Sequence, residues 1–266
     1  VIDQPFFIPA ICTVLAAIFL FSAPSFIAYS IGLGIYLALM MLFFVKAVSG
    51  LNVPFWLLGG TSVLSIVLFY IWIPWLLLEL IFRPSIILDF MESKTFIQQF
   101  IGHFVGAGLM EELFKVIPVF AFIALKNRFA QMNFSGIGDG KISPVLLMLI
   151  GASSAVGFIF VETLFQYVPE AAEQGEVFGL ALLIPRFISG IAGHIGFSGI
   201  FSYYIGLAFY YKNFNPKLLI IGWVLASVLH GLWNAIPNII ISSSVAIATF
   251  TIFMIYLIKA KKSFPT

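Results

Sequence analysis

Residues 98–125 read QQFIGHFVGAGLMEELFKVIPVFAFIAL. At 1.5 Å of rise per residue, a helix of this length crosses a hydrocarbon layer about 30 Å thick. Yet Glu111, Glu112 and Lys115 fall at its middle. An ionisable side chain at bilayer depth costs about 3 kcal/mol or more, so carboxylates placed there are candidates for function before they are candidates for structure. The same anomaly returns in three later apolar stretches, at Glu162, at His194, and at His230 with Asn234.

Composition supports the membrane reading. Of 266 residues 62% are hydrophobic, 31 are Phe and only 9% are charged, where a soluble domain carries about 25% charged residues. The fold class expected is all-α, a polytopic membrane helix bundle forming a single transmembrane domain over 1–266. Apolar windows place about eight spans near 5–22, 25–47, 54–81, 98–125, 144–168, 179–211, 218–237 and 241–258. The opening run has no charged leader segment and is expected to be a first span and not a signal peptide. An even number of spans puts both termini on one side. That side collects Lys46, Lys126, Arg128, Lys141, Lys212, Lys217, Lys259, Lys261 and Lys262, against Arg83 and Lys94 opposite. The positive-inside rule then makes the termini cytoplasmic and puts the loop with Glu170, Glu173 and Glu176 outside. Segment 82–97 mixes charges with Ile and Phe and is expected to lie on the outer surface. Ser135 to Gly140 reads as a cytoplasmic loop. The single cysteine, Cys12, excludes an intrachain disulfide and a cysteine-based metal site.

Depth follows from counting. Glu111 and Glu112 lie about 20 Å into their helix, near the midplane. Glu162, Arg186, His194, His230 and Asn234 fall between the midplane and the outer leaflet. Each has a structural reading. Lys115, at i+4 from Glu111 and i+3 from Glu112, suits a charge-neutralising role. Arg186 suits snorkelling to the interface. An intramembrane His or Asn often serves as a hydrogen bond between helices. The Glu pair resists such a reading, because adjacent helical residues point about 100° apart. One lysine cannot serve both, so another partner or an aqueous cavity is needed.

Glu111-Glu112-Leu-Phe-Lys115, Phe158-Ile-Phe-Val-Glu162, the Arg186 to His194 segment and His230-Gly-Leu-Trp-Asn234 resemble, in order, the motifs of the PrsW-type intramembrane proteases. The resemblance covers about 98–240. The wider clan includes CAAX prenyl endopeptidases, abortive-infection and bacteriocin-immunity proteins, and the gamma-secretase scaffold subunit. The prenyl-endopeptidase branch carries His where this chain has Glu162, which favours the PrsW branch. The resemblance implies that Glu111 or Glu112 activates water, that His194 is a catalytic partner, and that His230 with Asn234 polarises the scissile carbonyl. It also implies site-1 cleavage of a single-span anti-sigma factor in a bacterial cell membrane.

Chemistry leaves two routes open. A carboxylate in a low-dielectric cavity is suited to taking a proton from water and returning it to a leaving group. Alternatively, His and Glu on separate helices form a first shell for Zn²⁺, with Glu112, Glu162, His194 and His230 as candidate ligands and one carboxylate left as base. No His pair brackets a Glu at i, i+4, so the helix of soluble zinc proteases is absent. The expected partners are the bilayer and a single-span membrane protein, with no nucleic acid. Competing with a protease are a non-catalytic scaffold or immunity protein of the same fold, and a proton- or ion-coupled transporter. No repeat between the halves supports the transporter.

Overall fold

The computed structural model describes residues 7–23, 25–132, 135–138, 141–211 and 213–264. Lys212, the first two residues of the 5–22 span, and residues 139–140 of the 135–140 loop lie outside the described residues. The described chain is helical almost throughout: α1 (Phe7–Ser22), α2 (Phe26–Ser49), α3 (Phe55–Ile71), α4 (Ile73–Phe82), α5 (Ser85–Met91), α6 (Phe96–His103), α7 (Met110–Lys115), α8 (Ile117–Ala124), α9 (Lys126–Ala130), α10 (Pro144–Glu162), α11 (Val168–Glu173), α12 (Glu176–Tyr210), α13 (Pro216–Ala235) and α14 (Ile239–Ser263). Phe104–Leu109 and Thr163–Tyr167 are π-helical. A small antiparallel hairpin pairs β1 (Ile137–Gly138) with β2 (Lys141–Ile142).

The all-α expectation holds. Among the described residues, five helical stretches are long and apolar enough to cross a membrane, and a sixth forms if the bent pair α3–α4 counts as one span. The other two expected spans differ. The described part of α1 has 16 residues and begins at the first described residue, and 98–125 is divided among α6, a π-helical segment, α7 and α8. The span expected at 54–81 breaks at Trp72, where the axis turns by 70°. Pro74 removes a backbone donor there, and Trp72 takes the left-handed conformation (φ 64°) that ends α3.

α10 is the central post. All its residues except Phe160 and Glu162 are buried, and it packs against α2, α3, α8, α12 and α14. A helix apolar on every face belongs inside a bundle. Between helices in an apolar solvent, small residues and hydroxyls supply the contacts that hydrophobicity does not. Ser62 Oγ donates to the Ser153 carbonyl (2.7 Å), Ser154 Oγ donates to the Lys115 carbonyl (2.6 Å), and Ser65 and Ser154 share a hydrogen bond of 2.9 Å.

Two glycines set the approach of α13 to the Glu-bearing segment. A Cβ on Gly108 would strike the backbone of Ser227, and one on Gly231 would strike the backbone of Phe104. Backbone cannot yield as a side-chain tip does, so any larger residue pushes these elements apart. His230, next to Gly231, is held beside the Glu pair by that approach.

Candidate active site

Two π-helical segments flank the carboxylates. One precedes Met110 and the Glu pair, the other follows Glu162. Such segments disturb the i to i−4 ladder and recur at functional sites. α7 carries Glu111, Glu112 and Lys115, the end of α10 carries Glu162, α12 carries Arg186 and His194, and α13 carries His230 and Asn234. Sequence reasoning expected these elements to converge, and four of them do.

Glu112 is fully buried, and its carboxylate is engaged at both oxygens. Oε1 accepts from Lys115 Nζ (2.7 Å) and lies 3.0 Å from His230 Nδ1, while Oε2 accepts from Ser198 Oγ (2.9 Å). Lys115 Nζ also lies 2.8 Å from His194 Nδ1 and 4.6 Å from the centroid of the Phe158 ring. Lysine therefore links the Glu112 carboxylate to the second histidine. A buried charge survives only when paired and hydrogen-bonded in this way.

Glu111 has a different environment. Its Oε1 accepts from Arg83 (3.3 Å), and Arg83 Nε also donates to the Gly106 carbonyl (2.7 Å) in the π-helical segment. Arg83 belongs to the segment expected on the outer surface, whose helix α5 has no buried residue; its side chain reaches Glu111 from the turn between α4 and α5, with the guanidinium 5.3 Å from the Trp75 ring. It is a second cation for the two adjacent carboxylates. Ser198 and Tyr167 were also absent from the sequence reading, since a serine or tyrosine in an apolar helix carries no depth signal of its own.

The remaining atoms face one another. Glu111 Oε2 lies 3.7 Å from His230 Nε2, and Glu162 Oε2 lies 2.8 Å from His194 Nε2. None of these four buried atoms has an aligned hydrogen-bond partner. The imidazole rings of His194 and His230 stand 5.0 Å apart and nearly perpendicular, His230 stacks on Phe197 at 5.0 Å, and Trp233 lies 5.4 Å from His194. Aromatic packing thus fixes both rings.

Glu111, His194 and His230 each offer one ligand atom, all within 4.8 Å of one another. Carboxylate and imidazole are the donor types of catalytic zinc sites, where three protein ligands leave one position open. The outer contacts also suit a metal. His230 Nδ1–H donating to Glu112 leaves Nε2 unprotonated, as a ligating histidine requires. In His194, Nδ1 faces the Lys115 ammonium, which only donates, so in this arrangement Nδ1 accepts and Nε2 carries the proton toward Glu162; ligation of a metal by Nε2 requires Lys115 to release Nδ1. The metal candidates named from sequence were Glu112, Glu162, His194 and His230. The geometric group keeps both histidines and contains Glu111.

Two named residues stand apart. Arg186 lies between the rings of Tyr167 and Trp233, 4.7 Å from each centroid, and lines a cavity with Glu170 and Glu173. Asn234 is half-buried and makes no hydrogen bond to the cluster.

Fold and site together define a multi-pass helical membrane protein with a buried carboxylate–histidine centre of hydrolytic type. Residues 26–259 match the model of the PrsW family of intramembrane metalloproteases. The chain belongs to that family, and it is an intramembrane protease. It is 23% identical over 223 residues to Protease PrsW of Oceanobacillus iheyensis, covering 83% of this chain and 88% of that one. It is 27% identical over 142 residues to Protease PrsW of Shouchella clausii, covering 53% and 57%. No solved structure matches the chain significantly.

Proposed function

We propose that the protein cleaves a single-span membrane protein within the bilayer, with water activated at the Glu111–His194–His230 cluster and Zn²⁺ as the metal. One observation carries this reading. Glu111, His194 and His230, on three different helices, bring one ligand atom each within 4.8 Å, and each of the three residues holds a buried atom without a hydrogen-bond partner, Glu111 Oε2, His194 Nε2 and His230 Nε2. An unsatisfied buried polar atom costs about 1–3 kcal/mol, so three at one point call for a common partner. When bound, zinc supplies a Lewis acid that polarises a carbonyl oxygen and makes water a nucleophile at neutral pH.

The chain's own residues do the rest. Glu162, less buried than the others at 14% side-chain exposure, lines a cavity with Glu111. It takes the proton from the attacking water and hands it to the leaving amide nitrogen. Glu112 accepts from His230 Nδ1–H and so aims Nε2 inward, and Lys115 and Ser198 hold Glu112 in place. Arg83 holds Glu111 Oε1, which turns Oε2 toward His230. Asn234, one turn beyond His230 on α13, is the donor proposed for the scissile carbonyl.

The apolar windows support eight spans in one membrane domain over 1–266, the charge count supports cytoplasmic termini in a bacterial cell membrane, and the depth of the polar residues along their helices supports a cut near the outer half of the bilayer. The motif resemblance supports a single-span anti-sigma factor as substrate. A metal-free glutamate route is favoured by one contact, Lys115 Nζ against His194 Nδ1. In that route His194 Nε2–H donates to Glu162, and Glu111 is the base.

The test is cleavage of single-span reporter proteins in liposomes by purified protein, with and without zinc, beside Glu111→Ala. Zinc-dependent cleavage that Glu111→Ala abolishes is the expected result. Equal cleavage by Glu111→Ala would overturn the assignment of this cluster.

A further inference from the structure

A cavity of about 140 Å³ opens beside the cluster, between the α3–α4 bend and the C-terminal end of α10. Its polar end is formed by Glu111, Glu162 and Arg83, and its walls by Phe69, Trp75, Phe158, Phe165 and Val161. The walls are tied together. Trp75 lies 5.0 Å from Phe69 and 6.1 Å from Phe158, and Phe69 stacks on Phe165 at 6.2 Å between centroids. Two of the unpartnered atoms, Glu111 Oε2 and Glu162 Oε2, belong to residues at its polar end.

The geometry points to this cavity as the specificity pocket for one substrate side chain flanking the scissile bond, and it selects a large apolar residue, Phe, Leu or Met. The inference rests on the protease reading of the cluster. Size supports it, since an apolar cavity of about 150 Å³ accepts a benzene ring. Chemistry supports it as well. A side chain held among four aromatic rings brings its own backbone to the end where Glu111 and Glu162 stand, while Arg83 there can donate to a peptide carbonyl. The rim is also accessible from the apolar side. Phe165, which lines the cavity, is exposed, as are Trp72, Ile73 and Leu76 around the neighbouring bend, an arrangement that suits lateral approach of a membrane segment. Depth of an apolar pocket discriminates by about 10–200-fold per methylene-scale change, so the preference should be plain in the products.

The test uses purified, zinc-loaded protein in liposomes with single-span reporters whose residues around the outer end of the span are randomised, and sequences the cut ends. The expected result is one position flanking the cut enriched at least tenfold in Phe, Leu and Met over Ala. Phe165→Ala and Phe69→Ala should shift that position toward Trp, and Phe165→Trp should shift it toward Val and Ala, with cleavage of the best substrate of each variant retained. Cleavage that depends on Glu111 but shows no enriched position, or a preference that none of the wall variants moves, overturns the pocket alone and leaves a lipid chain as its occupant. Absence of Glu111-dependent cleavage from all reporters overturns the protease assignment of the cluster and the pocket with it.

Discussion

Replacing Glu162 by Gln is expected to lower turnover by about 10²–10⁴-fold, the range for loss of a general base, while zinc stays bound. The amide keeps the shape and part of the hydrogen bonding, so its effect isolates proton transfer. Glu162 suits this role because its Oε2 lies 2.8 Å from His194 Nε2 and unaligned with it, on a carboxylate that lines the cavity. Glu112 does not suit it, since both its oxygens are already engaged. The measurement is a single-turnover rate together with zinc content. A variant with full activity would remove Glu162 from the reaction, and one that loses zinc would make it a ligand instead.

Lys115→Met is expected to produce the largest loss of stability. Lys115 and Glu112 are both fully buried at 2.7 Å, and removing one partner of a buried ion pair costs about 3–5 kcal/mol. The remaining charge loses its neutralising partner in a medium that solvates it poorly. Because Glu112 also orients His230, zinc affinity should fall by about 10–100-fold, as for other outer contacts of a metal site. Adding Glu112→Leu removes the stranded charge, so the double variant should regain most of the stability without regaining the metal. Thermal unfolding in detergent and competition with a chelator read the two effects separately. Additive destabilisation in the double variant would show that the pair is not a coupled unit.

These two predictions depend on side chains of unequal legibility. Glu111, Glu112, Glu162, His194 and His230 were readable because a charge or imidazole in an apolar helix violates the solvent's demands. Helical spacing then assigned them to four elements that the fold brings together. That the Glu pair needed another partner or an aqueous cavity was readable too, but not that the partner is Arg83. Arg83 sits in a short amphipathic segment whose composition matches any interfacial helix; the segment has no buried residue in α5, and only the Arg83 side chain reaches Glu111, beside the 70° bend at Trp72. The bend had a signal, Pro74 in the middle of an apolar window, which hydropathy averaging conceals. Likewise, 98–125 is divided into π-helical and α-helical pieces: Gly106 and Gly108 lie in the π-helical piece and pack closely against other elements, while Pro118 stands in the first turn of α8, a local signal that hydropathy averaging also conceals. Asn234 lies one turn beyond His230 on α13 and forms no hydrogen bond with the cluster, which leaves its amide available for the substrate role proposed for it.

The central claim is that Glu111, His194 and His230 share one metal ion. Zinc-edge X-ray absorption on the purified, zinc-loaded protein tests it most directly. The expected result is about one zinc per chain, two imidazole nitrogens at about 2.0–2.1 Å and oxygen ligands completing the shell, with the imidazole signal reduced in His194→Ala and His230→Ala. A protein that binds no stoichiometric zinc and keeps its cleavage activity after exhaustive chelation would contradict it.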